Sequence, residues 1–119
     1  MAMNESIFKK RTKQLALSVI KMTESLPRNK AGNIIGRQIM RSATSVGANY
    51  RAACRGKSNK DMINKLKIVE EEADETLYWL ELIVEGELLP HAEVAELMKE
   101  TDEIVAMTVS SIKTLRKKS

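Results

Sequence analysis

The sequence predicts an all-α protein, an antiparallel up-and-down bundle of four helices, and three observations predict it. Turn residues and aromatics are scarce: five Gly, two Pro and 3% aromatics in 119 residues, which with abundant Ala, Leu, Ile, Glu and Lys favours helices over sheets. Apolar residues recur at helical spacing in four separate stretches, each several turns long. The breaks between these stretches are short, so successive helices must fold back on one another as antiparallel neighbours. A chain of this length supports one core, and residues 1–119 are expected to form a single domain.

The first helix is expected over about residues 6–26, where Phe8, Leu15, Val19, Met22 and Leu26 share a face and Lys9, Lys10, Lys13 and Lys21 point elsewhere. Pro27, Arg28 and Asn29 interrupt it. The second helix, about 31–55, is the most informative. At about 100° per residue, Ile35, Ile39, Ala43, Val46, Tyr50 and Ala53 fall in one narrow sector and Arg37, Arg41, Arg51 and Arg55 in the opposite one. Gly32 and Gly36 read as a fraying first turn, whereas Gly47 suits a close approach to a neighbouring helix.

Gly56-Lys57-Ser58 marks the next break, with Ser58 placed to N-cap a third helix over about 58–86 and Asp61 in the capping-box position. Met62, Leu66, Val69, Ala73, Leu77, Leu80 and Val84 form a seam with the four-three spacing of a left-handed bundle. Glu70, Glu71, Glu72, Asp74 and Glu75 read as a solvated outer face. Ile68, Trp79 and Leu82 form a second apolar stripe that a four-helix monomer cannot easily bury. They are therefore expected at a subunit interface anchored by Trp79; the alternative is a Trp79 tucked under the loop of Leu88, Leu89 and Pro90. Gly86 and Pro90 close this helix. The fourth, about 91–115, carries Val94, Leu97, Thr101, Ile104, Thr108, Ile112 and Leu115 inward, with acids near its start and bases near its end as the helix dipole prefers.

Charge is distributed unevenly. Up to Lys60 there are thirteen Lys or Arg against two acids, giving +11, and beyond it seven against fourteen, giving −7, which together make the net +4. Such a split suggests an anionic partner for the basic half, or pairing of the halves within or between chains. Cys54 is the only cysteine, so a reducing compartment is expected. Met1–Ser6 is polar, no leader is expected, and no apolar run reaches the roughly 18–20 residues of a membrane span. The expected location is the cytoplasm, with no membrane partner.

Catalysis finds little support. One His and one Cys, His91 and Cys54, are too few for a zinc site, and without a second His the acids cannot form a di-iron bundle centre. No phosphate loop, nucleophile elbow or dinucleotide fingerprint occurs. The protein is expected to be no enzyme and to use neither metal nor cofactor.

Nucleic-acid binding has a physical basis in Arg37, Arg41, Arg51 and Arg55, which lie along roughly 27 Å of one helix, with Lys57 and Lys60 extending the charge and Lys9 and Lys13 joining it from the first helix. Guanidinium groups bind phosphate oxygens through paired planar donors. Such contacts give affinity without sequence preference and a strong salt dependence. The competing expectation is a homo-oligomeric scaffold whose basic face pairs with acidic surfaces and holds no nucleic acid.

The nonapeptide Arg41-Ser42-Ala43-Thr44-Ser45-Val46-Gly47-Ala48-Asn49, the Ser58–Asp61 helix start and the stretch Glu72–Leu82 (EADETLYWLEL) resemble the small bacterial four-helix-bundle proteins encoded within intervening sequences of 23S rRNA genes. A related branch is the accessory variability determinant of diversity-generating retroelements. The resemblance implies a ring or barrel homo-oligomer, a pentamer. In the retroelement branch it further implies a basic surface that engages RNA or DNA and a reverse transcriptase. Many members carry an acid soon after the Ala-Asn pair, where this chain has Tyr50-Arg51-Ala52-Ala53-Cys54-Arg55 and a correspondingly more basic helix.

Overall fold

The computed structural model describes residues 4–118; Met1–Met3, part of the stretch read for a leader, and Ser119 lie outside it. Four helices follow in order: α1 (Glu5–Thr23), α2 (Lys30–Cys54), α3 (Asn59–Glu85) and α4 (His91–Lys118). Side-chain caps define three of the starts. Asn4 accepts from the Ile7 N–H at 3.1 Å, Asn29 from Gly32 at 2.8 Å and Ser58 from Asp61 at 3.1 Å, each satisfying an N–H with no partner inside its helix. α1 ends three residues before the expected boundary, because the N–H groups of Glu24, Ser25 and Leu26 turn to carbonyls three residues back. Leu26 nevertheless stays buried. α4 runs to Lys118, beyond the expected Leu115.

The helices pack in sequence order around a square, α1 on α2, α2 on α3 and α3 on α4, with α1 against α4 as the loosest edge. The result is a rod of 48 × 20 × 20 Å. α1 has 19 residues against 25, 27 and 28 in the others, so at about 1.5 Å per residue it falls roughly 10 Å short of its neighbours. All five apolar positions expected on the first helix, from Phe8 to Leu26, are buried. On α3 the seam is rotated from its expected line: Thr76 and Ile83 are buried where Leu77 and Val84 are only half-buried.

Hydroxyl residues in the core are the main departure from the apolar pattern. Thr12, Ser42, Thr76, Thr101, Thr108 and Ser111 are all fully buried. Most are tolerated because a Thr or Ser in a helix can donate to a carbonyl one turn back: Thr12 to Phe8 at 3.0 Å, Thr108 to Ile104 at 2.7 Å and Thr101 to Leu97 at 2.6 Å. Ser42 Oγ donates to the Ile39 carbonyl and lies 2.8 Å from Thr76 Oγ1, a hydrogen bond that links α2 and α3 inside the core. The Tyr50 hydroxyl and Ser111 Oγ are buried and make no hydrogen bond to any of the described residues.

Backbone packing corrects the reading of two glycines. Gly32 and Gly36 are buried, not frayed. A Cβ on Gly32 would lie 2.0 Å from the Pro27 carbonyl oxygen, so the α1–α2 turn closes against its bare Cα. At the end of α3, Gly86 is the C-cap with φ −83°, and Glu87 takes the left-handed conformation at φ 59°. The Leu88 N–H reaches the Ile83 carbonyl at 2.8 Å and the Glu87 N–H the Val84 carbonyl at 3.0 Å, the bonding of a Schellman turn in which position C′ normally belongs to Gly. Glu87→Gly should therefore stabilise the fold by up to about 1 kcal/mol, relief of left-handed strain outweighing the extra entropy of the unfolded chain. A thermal melt would show it as a raised midpoint, and an unchanged or lower midpoint would contradict it.

Candidate nucleic-acid interface between the first two helices

The register of α1 on α2 follows from three close approaches. Phe8 meets Tyr50 edge to face at 4.5 Å between ring centroids. A Cβ on Gly47 would stand 3.4 Å from Thr12 Oγ1, and one on Gly36 would stand 3.3 Å from Leu26. In this antiparallel register Lys9 and Lys13 run along one side of the α1–α2 seam and Arg51 and Arg55 along the other. Between them lies a cleft of about 460 Å³ floored by Thr12, Ala16, Thr44, Gly47 and Ala48, with Lys9, Lys10, Lys13, Arg51 and Arg55 on its walls. No carboxylate lines it. Glu5 stands at one end, near enough to Cys54 to help push its thiol up, although burial is the larger cause. Burial, and after it the neighbouring Cys54, likewise holds the Tyr50 hydroxyl far above its ordinary value. Both groups are neutral near pH 7 and add no negative charge to the cleft.

Arg37, Arg51 and Arg55 are exposed, and among the described residues none of them joins an ion pair. Arg41 is engaged differently. Its guanidinium reaches across to α3, donating to Glu72 at 3.0 and 3.3 Å and making a close pair with Glu75. Two of the five acids read as a solvated face thus serve as its partners. Lys57 lies in the loop after α2 and Lys60 in the first turn of α3, both exposed. Of the eight cations expected to contact nucleic acid, the cleft brings together Lys9, Lys13, Arg51 and Arg55, while Arg37, Arg41, Lys57 and Lys60 stand outside it. Lys10 joins the walls although the sequence does not mark it out, because a helical wheel cannot show which neighbour an outer face adjoins.

On the other edge of α1 the charges are paired. Arg11 clasps Glu100 at 2.6 and 2.9 Å, with Glu103 at 3.2 Å, and so ties α1 to α4. The α1–α4 groove beside this contact is larger, about 590 Å³, but its charges are mixed: Lys21 faces Glu93, Glu96 and Glu100. Of these two grooves the α1–α2 cleft alone carries a field of one sign, and that is the property a polyanion selects.

The α2–α3 seam accounts for the two most distinctive stretches of sequence. Arg41 and Ser42 of the nonapeptide meet Glu72, Glu75 and Thr76 of the second stretch, so the two motifs interlock as a packing unit. Glu75 also accepts from the Trp79 indole N–H at 3.0 Å. That bond and, against the cost of burial, the Arg41 guanidinium hold the Glu75 carboxyl below its ordinary value of 4.5. A lowered carboxylate adds stability that is complete above the ordinary value and lost as pH falls through the folded one. Arg41→Gln should cost no more than about 1 kcal/mol near neutrality, since solvent reaches the pair, and the deficit should shrink on acidification below pH 4.5. Urea titrations across that range test both statements.

Of the expected interface residues, Ile68 is exposed, and Trp79 and Leu82 are half-buried. Trp79 packs in part against the core of its own chain and stands edge to face with Tyr78 at 5.2 Å. Tyr78, 52% exposed, is the large side chain beside this stripe that periodicity does not mark out. Cys54 ends α2 and His91 begins α4, in separate parts of the rod. Among the described residues no group of three or more His, Cys, Asp or Glu is placed to hold a metal ion. No described helix is long and apolar enough to cross a membrane.

Four antiparallel helices with a cation-walled cleft between the first two define a small all-α bundle protein. The family model described as 23S rRNA-intervening sequence protein matches residues 4–110, and the chain belongs to that family. Among solved structures, it is similar to a protein of unknown function from the S23 ribosomal protein family of Bacteroides thetaiotaomicron, with 33% identity and a TM-score of 0.85, covering 93% of this chain and 99% of that one. No curated protein matches it significantly.

Proposed function

We propose that this protein is a non-enzymatic, homo-oligomeric module that holds RNA or DNA through phosphate contacts, as an accessory to a nucleic-acid enzyme such as a reverse transcriptase. The observation that carries this reading is the α1–α2 face, where Lys9, Lys10, Lys13, Arg51 and Arg55 converge with no carboxylate among them. Charge of that density, unpaired within the cleft, favours a polyanion over a neutral ligand. The ring of five subunits is taken from the resemblance of the sequence. Exposed Ile68 and Tyr78, beside Trp79 and Leu82, supply apolar surface that such an assembly would cover.

Binding of a labelled mixed-sequence duplex and of a structured RNA, measured between about 50 and 200 mM salt, tests the reading. Log affinity should fall linearly with log salt, and Arg51→Glu with Arg55→Glu should weaken binding at least about tenfold further. Indifference to both would leave the scaffold reading, in which the basic face meets acidic protein surfaces.

A further inference from the structure

We infer that the α1–α2 cleft takes one unpaired strand of RNA or DNA lengthwise, its phosphates on the two cationic walls and its bases turned outward; this rests on the nucleic-acid reading above. Size selects a single strand. The whole rod is only 20 Å across, and the open groove between two of its four helices holds about 460 Å³. A single sugar–phosphate chain fits such a slot, whereas a duplex is too wide to enter and could only rest on the rims. The floor is low because Ala16, Gly47 and Ala48 stand where larger side chains would fill it.

The spacing of charge points the same way. The register set by Phe8 on Tyr50 and Thr12 on Gly47 puts Lys9 roughly level with Arg51, Lys13 one turn to one side and Arg55 one turn to the other. The cations therefore form three rungs roughly 6 Å apart at 1.5 Å per residue. A flexible strand lying lengthwise in the slot can set successive phosphates on those rungs. The cleft also offers no ring to a base, since Phe8 and Tyr50 beneath it are fully buried. Recognition through the backbone alone is sequence-neutral. Arg37, fourteen residues before Arg51 on the same helix, lies roughly 21 Å away and outside the slot.

The test uses the full chain, a labelled oligouridylate and a duplex of equal length. Thr44→Gln with Ala48→Gln, both at exposed helix positions, fills the slot without changing charge. The single strand should bind more tightly than the duplex, and the filled variant should bind it about tenfold more weakly while its circular dichroism is unchanged. Lys13→Gln and Arg51→Gln should each flatten the salt slope by about 0.7, and Arg37→Gln should leave affinity within about twofold. Preference for the duplex, normal binding by the filled variant, or equal effects of Arg37→Gln and Arg51→Gln would overturn the slot while leaving nucleic-acid binding intact. Failure of both probes to bind in a salt-dependent way would overturn the broader reading as well.

Discussion

Phe8→Ala is expected to destabilise the protein by about 3–5 kcal/mol, the usual range for removing a fully buried Phe. Phe8 is 0% exposed, and its ring meets Tyr50 edge to face, a geometry that adds to simple burial. α1 feels the loss most. It is the shortest helix and is held loosely to α4, so its packing on α2 provides most of its anchoring. The same packing sets the two walls of the cleft, so on the proposed reading weakened phosphate binding should accompany the lower stability. Phe8→Leu, which keeps most of the volume, should cost less than about 1.5 kcal/mol. Chemical denaturation of both variants checks the pair, and a cost below about 1 kcal/mol for Phe8→Ala would show that α1 is anchored elsewhere.

Gly32→Ala should reverse the usual sign of a helical Gly→Ala change. In an open helix the substitution gains up to about 1 kcal/mol. Here the new Cβ would lie 2.0 Å from the Pro27 carbonyl oxygen and 3.1 Å from its carbon, and backbone atoms cannot swing aside as a flexible side chain would. The α1–α2 turn must then open, which also strains the cap that Asn29 makes to the Gly32 N–H. A loss of about 2 kcal/mol or more is expected. Gly47→Ala is the internal control: its Cβ would meet Thr12 Oγ1 at 3.4 Å, an ordinary distance, so the change should be neutral or slightly stabilising. Thermal and urea melts of the two variants decide the matter, and equal effects would mean that helix propensity, not the turn, governs both.

Helix number, order and the inward faces of α1 and α2 were legible because they depend on local chemistry. Phe8, Leu15 and Val19 on α1, or Val46, Tyr50 and Ala53 on α2, repeat with the helical period whatever they pack against. Ser58 announces its cap through its own hydroxyl. The burial of Thr12, Thr76 and Ser111 is not legible, because their side chains read as polar. Only the formed bundle shows that the Thr12 hydroxyl is satisfied one turn back and that of Thr76 by Ser42 on the facing helix. Gly32 reads as a frayed end for a related reason, since the atom that excludes a side chain belongs to Pro27, in a turn whose closure no periodicity describes.

The sequence by itself determined four amphipathic helices, their antiparallel succession and a basic first half, because periodicity, caps and charge are properties of neighbours along the chain. Only the tertiary structure decided which cations remain available. Arg41 and Arg11 are engaged by carboxylates on α3 and α4, whereas Lys9, Lys13, Arg51 and Arg55 meet across a cleft that no carboxylate lines. The physical reason is that ion pairing depends on distances between residues far apart in sequence, and those distances exist only once each edge of α1 and α2 has been assigned a neighbour.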